Sequence, residues 1–257
     1  MGREHDRLVE IARSAALAAG EVILKVYCDP IAVRAKADAS PVTAADEQSE
    51  AVISAQLTAA APDIPIIAEE HCAEHGLPER APPRFWLVDP LDGTTEFIAR
   101  NGEFCVNIGL IEEGEPVLGV VYAPVQGVLY AGAGAGTARR QRGSAAAEPI
   151  AARAAPSRGA VVVHSRSHID EARLAAYLAT LPGAERRITG SAIKFCLLAA
   201  GEADYYPRFG HTMEWDTAAG QAILWAAGGS TMTLDGEALR YGKPGFLNAD
   251  FIARGRS

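Results

Sequence analysis

The sequence predicts an α/β fold of stacked helix and sheet layers, and three observations carry that expectation. Two stretches near the N-terminus place apolar residues at helical spacing. Residues 105–132 change to strand-length apolar runs separated by turns, and beyond residue 158 strands and helices alternate. At 257 residues with 49% hydrophobic content, the chain can bury a sizeable core as one large domain or two closely joined ones.

Leu8, Ile11, Ala12, Ala15, Ala19, Val22, Ile23 and Val26 follow the helical period and predict a long amphipathic first helix. A second helix is expected from about Thr43 through Val52, Ile53 and Leu57, after the Ser40-Pro41 break. Ile64 to Ala68 and Phe85 to Val88 read as short buried strands that both end in carboxylates. Val106 to Ile111, Val117 to Tyr122 and Val128 to Ala131 then form an antiparallel meander. The Ala-Gly run from Ala131 to Gly136 reads as a turn rather than a dinucleotide loop, since no helical pattern follows it.

Residues 139–158, rich in Ala, Arg, Gly and Pro, are the expected hinge between an N-terminal half, 1–150, and a C-terminal half, 151–257. In the second half the expected elements are a strand at Val161 to Val163, a helix from about Asp170 to Leu181 and a short strand near Arg187. A helix from Ser191 to Ala200, a strand from Ala203 to Tyr206 and a helix from Glu214 to Ala227 follow.

The apolar runs are too short to span a membrane, and no charged-then-apolar signal segment opens the chain, so it reads as a soluble intracellular protein. Cys28, Cys72, Cys105 and Cys196 lack metal-site spacing and are expected to be free thiols, mostly buried. The formal net charge of -8 without a basic block argues against a polymeric nucleic-acid partner. A small phosphate ester is still compatible, because bound cations invert the local sign.

The chemistry concentrates in Trp86-Leu87-Val88-Asp89-Pro90-Leu91-Asp92-Gly93-Thr94-Thr95. Asp89, Asp92 and the Leu91 carbonyl are hard oxygen ligands of the kind Mg²⁺ takes. Gly93 and Thr94 stand where a helix could begin and offer backbone N–H groups to an anion. The same run could be an ordinary turn, but Glu69, Glu70 and Asp216 also fall at element ends, and together they would suit a cluster of metal ions.

The ordered set Lys36 to Asp46, Glu69-Glu70, Asp89 to Thr95 and Trp215 to Gly220 resembles the inositol monophosphatase superfamily of lithium-sensitive, Mg²⁺-dependent phosphatases. Glu214 to Gly220, His164 to His168 and Gly190 to Phe195 are similar to its bacterial 3'(2'),5'-bisphosphate nucleotidase branch. The resemblance implies an α-β-α-β-α sandwich. It implies that two or three Mg²⁺ ions are held by Glu69, Asp89, Asp92, Asp216 and the Leu91 carbonyl, with Glu70 acting through water or a weaker site. Asp46 and Thr94 would orient and deprotonate the attacking water, while Gly93 and Thr94 would bind the scissile phosphate. His164, Ser165, Ser191, Lys194 and Arg208 would line the nucleotide pocket.

The implied reaction removes the 3'-phosphate of adenosine 3',5'-bisphosphate to give AMP, with the sulfated analogue as a second substrate and a role in sulfur metabolism. Two alternatives stand beside it: an inositol or sugar-phosphate phosphatase with the same cluster, and a non-catalytic metal- or nucleotide-binding regulator. A cytoplasmic location is expected. Monomer or homodimer, and peripheral contact with the inner membrane, are left open.

Overall fold

The computed structural model describes residues 2–36, 40–166 and 169–256. Its helices are α1 (Arg3–Cys28), α2 (Ala44–Ala60), α3 (Glu69–His75), α4 (Thr94–Ile98), α5 (Glu171–Ala179), α6 (Ile193–Ala199) and α7 (Ala218–Ala226). A hairpin of β1 (Val33–Ala35) and β2 (Pro41–Thr43) precedes α2. The large sheet runs in the order β3 (Ile66–Ala68), β4 (Arg84–Asp92), β5 (Cys105–Glu112), β6 (Glu115–Ala123), β7 (Val128–Gly132), β8 (Arg139–Arg142) and β9 (Glu148–Pro149). Only its β3–β4 pair is parallel. A second sheet is made of β10 (Val161–His164), β11 (Glu185–Ile188), β12 (Tyr205–Arg208), β13 (Ser230–Thr233) and β14 (Phe251–Arg254), in the order β11-β10-β12-β14-β13.

The alternation of side chains along the large sheet sorts its residues into two cores. Trp86, Val88, Val106, Ile108, Leu110, Leu118, Val120 and Leu129 pack under α1 and α2. Phe85, Leu87, Cys105, Ile111, Val121, Val128 and Tyr130 face α6, α7 and the second sheet. Both faces are covered, which is why these strands read as near-continuous apolar runs. With α5 lying over the second sheet through Tyr177 against Tyr205, the layers are α-β-α-β-α.

α7 is seated unusually close to the large sheet. A Cβ built on Gly119 would meet the Ala219 carbonyl oxygen at 2.1 Å, and one on Gly132 would meet Ala226 Cβ at 2.7 Å. These glycines let the helix backbone approach the strands. That approach carries the start of α7, and Asp216 just before it, toward the end of β4.

Several expected elements change in detail. β4 is longer than the Phe85–Val88 strand read from the sequence, continuing through the two aspartates to Asp92. The expected Glu214–Ala227 helix is broken: Glu214–Asp216 form a 3₁₀ turn, and Thr217 at φ -124° separates it from α7. The cause is local, because the Asp216 side chain turns back to accept from Met213 N at 2.9 Å. Residues 139–149 of the expected hinge instead contain β8 and β9, with Arg140 bonded to Glu148 and Glu202. The sequence reading did not include β1, β13, β14 or α3 as elements.

Candidate active site

Between Asp89 and Asp92 the pairing of β4 with β5 slips by one residue: Asp89 faces Asn107 and Asp92 faces Cys105. Pro90 has no N–H to give to a ladder, so the strand bulges at the Pro90-Leu91 step and re-aims the flanking side chains. Gly93 then takes a left-handed conformation, φ 99°, to turn the chain into α4. The loop is thus a β-bulge followed by a short helix.

Glu69 from the start of α3, Asp89 from the bulge and Asp216 from the 3₁₀ turn each place a carboxylate oxygen within 4.8 Å of the others. Asp89 and Asp216 are pushed well above the usual aspartate value, by burial first and then by the neighbouring carboxylates. Such a buried, mutually repelling acid set fits divalent cations with oxygen preference. One oxygen of each aspartate is held by the protein. Leu91 N donates to Asp89 Oδ1 at 3.0 Å and Met213 N to Asp216 Oδ2 at 2.9 Å. Asp92 Oδ2 accepts from Ala192 N, from Asn107 Nδ2 at 3.2 Å and from the Cys105 thiol at 3.8 Å. The second oxygen of each acid is thereby left for an ion, in the manner of outer-shell bonds that orient metal ligands.

Asp46 is the N3 residue of a capping box on α2. Thr43 N and Thr43 Oγ1 both donate to its Oδ2, at 2.8 and 2.6 Å. Thr94 Oγ1 donates to the other oxygen at 2.9 Å, and the Leu91 carbonyl lies 3.3 Å from that hydroxyl. Burial raises the Asp46 carboxyl above its ordinary value, with the hydrogen bonds from Thr43 and Thr94 opposing.

Glu70 stands apart from the three-acid cluster. Its Oε1 accepts from Lys36 Nζ at 2.6 Å, and the same ammonium reaches Glu69 Oε1 at 2.6 Å. Burial pushes Glu70 up to about 7, while Lys36 is held above the ordinary lysine range by the two glutamates although burial works against it. Lys36 belongs to the motif read from the sequence, but its bridging role was not anticipated there.

A cavity of about 310 Å³ opens beside these acids and is lined by Glu69, Asp92, Gly93, Thr94 and Asp216. Its other wall comes from the second half of the chain and includes Ser165, Ser191, Lys194 and Arg208. Lys194 is 3% exposed, its ammonium bonded to Ser191 O at 2.5 Å and set 5.0 Å over the Tyr206 ring. Arg208 donates to Ser165 Oγ at 3.2 Å and to His211 O at 2.6 Å. His164 is not brought to this cavity. It is buried, with Nδ1 against Ser165 O at 2.9 Å and Nε2 accepting from Arg186 at 3.3 Å, and burial lowers its basicity.

Tyr206 also lines the cavity, as do His211 and Thr212, and the last two were absent from the sequence-derived site. Asn107 was also absent, although an isolated amide inside the apolar run Val106-Asn107-Ile108 is a signal that could have found it. The motif residues Ala37, Asp38, Ala39, Ser167 and His168 lie outside the described residues.

A layered α/β fold that gathers carboxylates from three separate elements around a polar cavity defines a metal-dependent phosphatase of the inositol monophosphatase type. The model of the inositol monophosphatase family matches residues 4–255, and the chain belongs to that family. A Shigella flexneri protein named 3'(2'),5'-bisphosphate nucleotidase CysQ is 46% identical over 253 residues, covering 96% of this chain and 97% of the other. A protein of the same name from Escherichia coli strain K12 is 45% identical, with the same coverage. Among solved structures, CysQ from Bacteroides thetaiotaomicron superposes with a TM-score of 0.81 at 38% identity, over 97% of each chain.

Proposed function

We propose that this protein is a Mg²⁺-dependent 3'(2'),5'-bisphosphate nucleotidase that removes the 3'-phosphate of adenosine 3',5'-bisphosphate, leaving AMP. The observation that carries the reading is the cavity with an acid cluster on one wall and two buried cations, Lys194 and Arg208, on the other. A substrate with two phosphates needs both. Relatives bearing the nucleotidase name along nearly the whole chain support the same substrate class.

Glu69, Asp89, Asp92, Asp216 and the Leu91 carbonyl would hold two or three Mg²⁺ ions. When bound, these ions supply Lewis-acid stabilisation of phosphoryl charge and lower the pKa of water. Glu70, tied to Lys36, contributes through water or a weaker site. Thr94 donates its proton to Asp46, so its oxygen lone pair is turned outward to accept from the attacking water, and Asp46 takes up the proton that the hydroxyl passes on. The N–H groups of Gly93 and Thr94 bind the scissile phosphate, while Lys194, Arg208, Ser165 and Ser191 hold the second one. His164 supports Ser165 from behind through its backbone contact.

No helix among the described residues is long and apolar enough to cross a membrane. All four cysteines are free, three of them buried, which fits the reducing cytoplasm we propose as its location.

Phosphate release from adenosine 3',5'-bisphosphate and from inositol 1-phosphate, measured in parallel with and without Mg²⁺, tests the reading. Preference for the nucleotide, yielding 5'-AMP only when Mg²⁺ is present, is the expected result. Preference for the inositol ester overturns the substrate assignment but keeps the metal site.

A further inference from the structure

Glu50 is buried, 8% exposed, and takes no part in the chemistry described above. Its carboxylate is engaged at both oxygens: Glu70 N donates to Oε2 at 2.7 Å and His71 N donates to Oε1 at 2.8 Å. These are the second and third residues of α3, whose N–H groups have no acceptor within their own helix. Such donors are ordinarily satisfied by a Ser, Thr, Asp or Asn just before the helix. Here that residue is Ala68, which makes no side-chain bond, and the cap comes instead from α2, 20 positions back along the chain.

The origin of the cap matters because of what α3 begins with. Glu69, its first residue, belongs to the three-acid cluster, and Glu70, its second, shares Lys36 with it. A local cap would satisfy the same N–H groups yet leave α3 free to shift as a unit. A cap from α2 ties the start of α3 to a fixed neighbour. Glu50 lies one turn beyond Asp46 on the same face of α2, about 6 Å along the axis at 1.5 Å per residue. Asp46 is itself pinned by Thr43 and holds Thr94. One buried turn of α2 therefore grips both sides of the site, with Asp46 on the loop that follows the β4 bulge and Glu50 on the segment that carries Glu69.

We propose that Glu50 is a positioning residue for the metal site: by accepting from both Glu70 N and His71 N, it sets the Glu69 carboxylate at the spacing from Asp89 and Asp216 that a divalent cation needs. The inference rests on the reading of Glu69, Asp89 and Asp216 as metal ligands, but not on the choice of substrate. Glutamate is the residue this role requires. Glutamine would set its amide NH₂ against one of the two N–H donors, and aspartate falls one methylene short of them.

Mn²⁺ serves as the probe, since it shares the octahedral oxygen preference of Mg²⁺ and its free concentration is read by electron paramagnetic resonance without substrate or turnover. Glu50→Gln and Glu50→Asp should each weaken Mn²⁺ binding about 10-fold or more, within the range for an orienting partner of a metal ligand. Glu47→Gln removes one negative charge from the same helix, at a residue whose partner is the exposed Arg34, and should stay within about twofold of the parent because solvent screens such charges. In the metal-free parent, hydrogen exchange of the Glu70 and His71 amides, resolved by NMR, should be slow, and in both Glu50 variants fast; thermal melts check folding. Parent amides that exchange at unprotected rates overturn the cap without recourse to any variant. Parental Mn²⁺ affinity in either Glu50 variant, or equal weakening in Glu47→Gln, overturns the positioning role even where the melting temperature falls. Glu69→Gln that binds Mn²⁺ like the parent overturns the metal site itself, so the two failures are distinguishable.

Discussion

Thr94 Oγ1 donates to Asp46 Oδ1 at 2.9 Å, joining residues 48 positions apart, while Thr43 occupies the opposite Asp46 oxygen through both its N–H and its hydroxyl. The helix cap thus fixes the orientation of the carboxylate that accepts the Thr94 hydrogen bond. Thr94→Val should lower kcat by about 10²–10⁴, the range for loss of acid–base assistance, with KM little changed. Thr94→Ser should retain most of the rate. Steady-state kinetics of the two variants separate this role from simple packing, because a packing role predicts that Val is the better replacement.

Asp89→Asn would remove a proposed metal ligand together with a buried carboxyl that its neighbouring acids repel. Several kcal/mol of charge stabilisation at about 1.4 kcal/mol per decade predicts a turnover loss of about a thousandfold. In EDTA the melting temperature should stay level or rise, since the remaining acids repel less. Retained activity with an ordinary melt would falsify the ligand assignment.

Asn107 Nδ2 holds Asp92 Oδ2 at 3.2 Å together with Ala192 N. Asn107→Leu should therefore weaken Mg²⁺ binding or activity by about 10–100-fold, the usual cost of losing an outer-shell partner. Asn107→Asp should do worse, by adding a like charge next to Asp92. A Mg²⁺ titration of activity that superimposes on that of the parent rejects the role.

The stability of the metal-free protein should fall as pH rises. Asp89 and Asp216 keep their protons in the folded chain at pH values where the unfolded chain, near the ordinary value of 3.8, has lost them. The folded state then binds more protons, so stability is largest below that window and declines as pH climbs through the raised values. Glu70, pushed up to about 7, extends the decline to neutrality. Mg²⁺ replaces the missing protons, so the melting shift it produces should grow from about pH 5 to about pH 8. A shift that is flat or shrinks over this range contradicts the cluster.

Gly119→Ala should act at a distance from the chemistry. The added Cβ would sit 2.1 Å from the Ala219 carbonyl oxygen, forcing α7 away from the sheet and moving Asp216 with it. A stability loss of about 1–3 kcal/mol is expected from such overpacking, together with weaker Mg²⁺ binding. Denaturant melts and calorimetry check the two effects separately.

Local rules made much of this protein readable in its sequence. The helical period of Leu8 to Val26, the Thr43–Asp46 capping box, the apolar strands and the Asp89–Thr94 run are encoded by residues close together in the chain, where spacing and side-chain type govern the conformation. The ordered motifs also pointed to the family. Pairing and approach were decided only by the tertiary structure. Nothing local says that Lys36 bridges Glu69 and Glu70, that Ala192 N crosses from the second half to bind Asp92, or that His164 turns to Arg186 rather than to the cavity. These contacts depend on how closely α7 sits on Gly119 and Gly132 and on where the β4 bulge aims Asp89 and Asp92. Sequence spacing carries the period of an element, whereas the distance between two elements is set by the packing of side chains far apart in the chain.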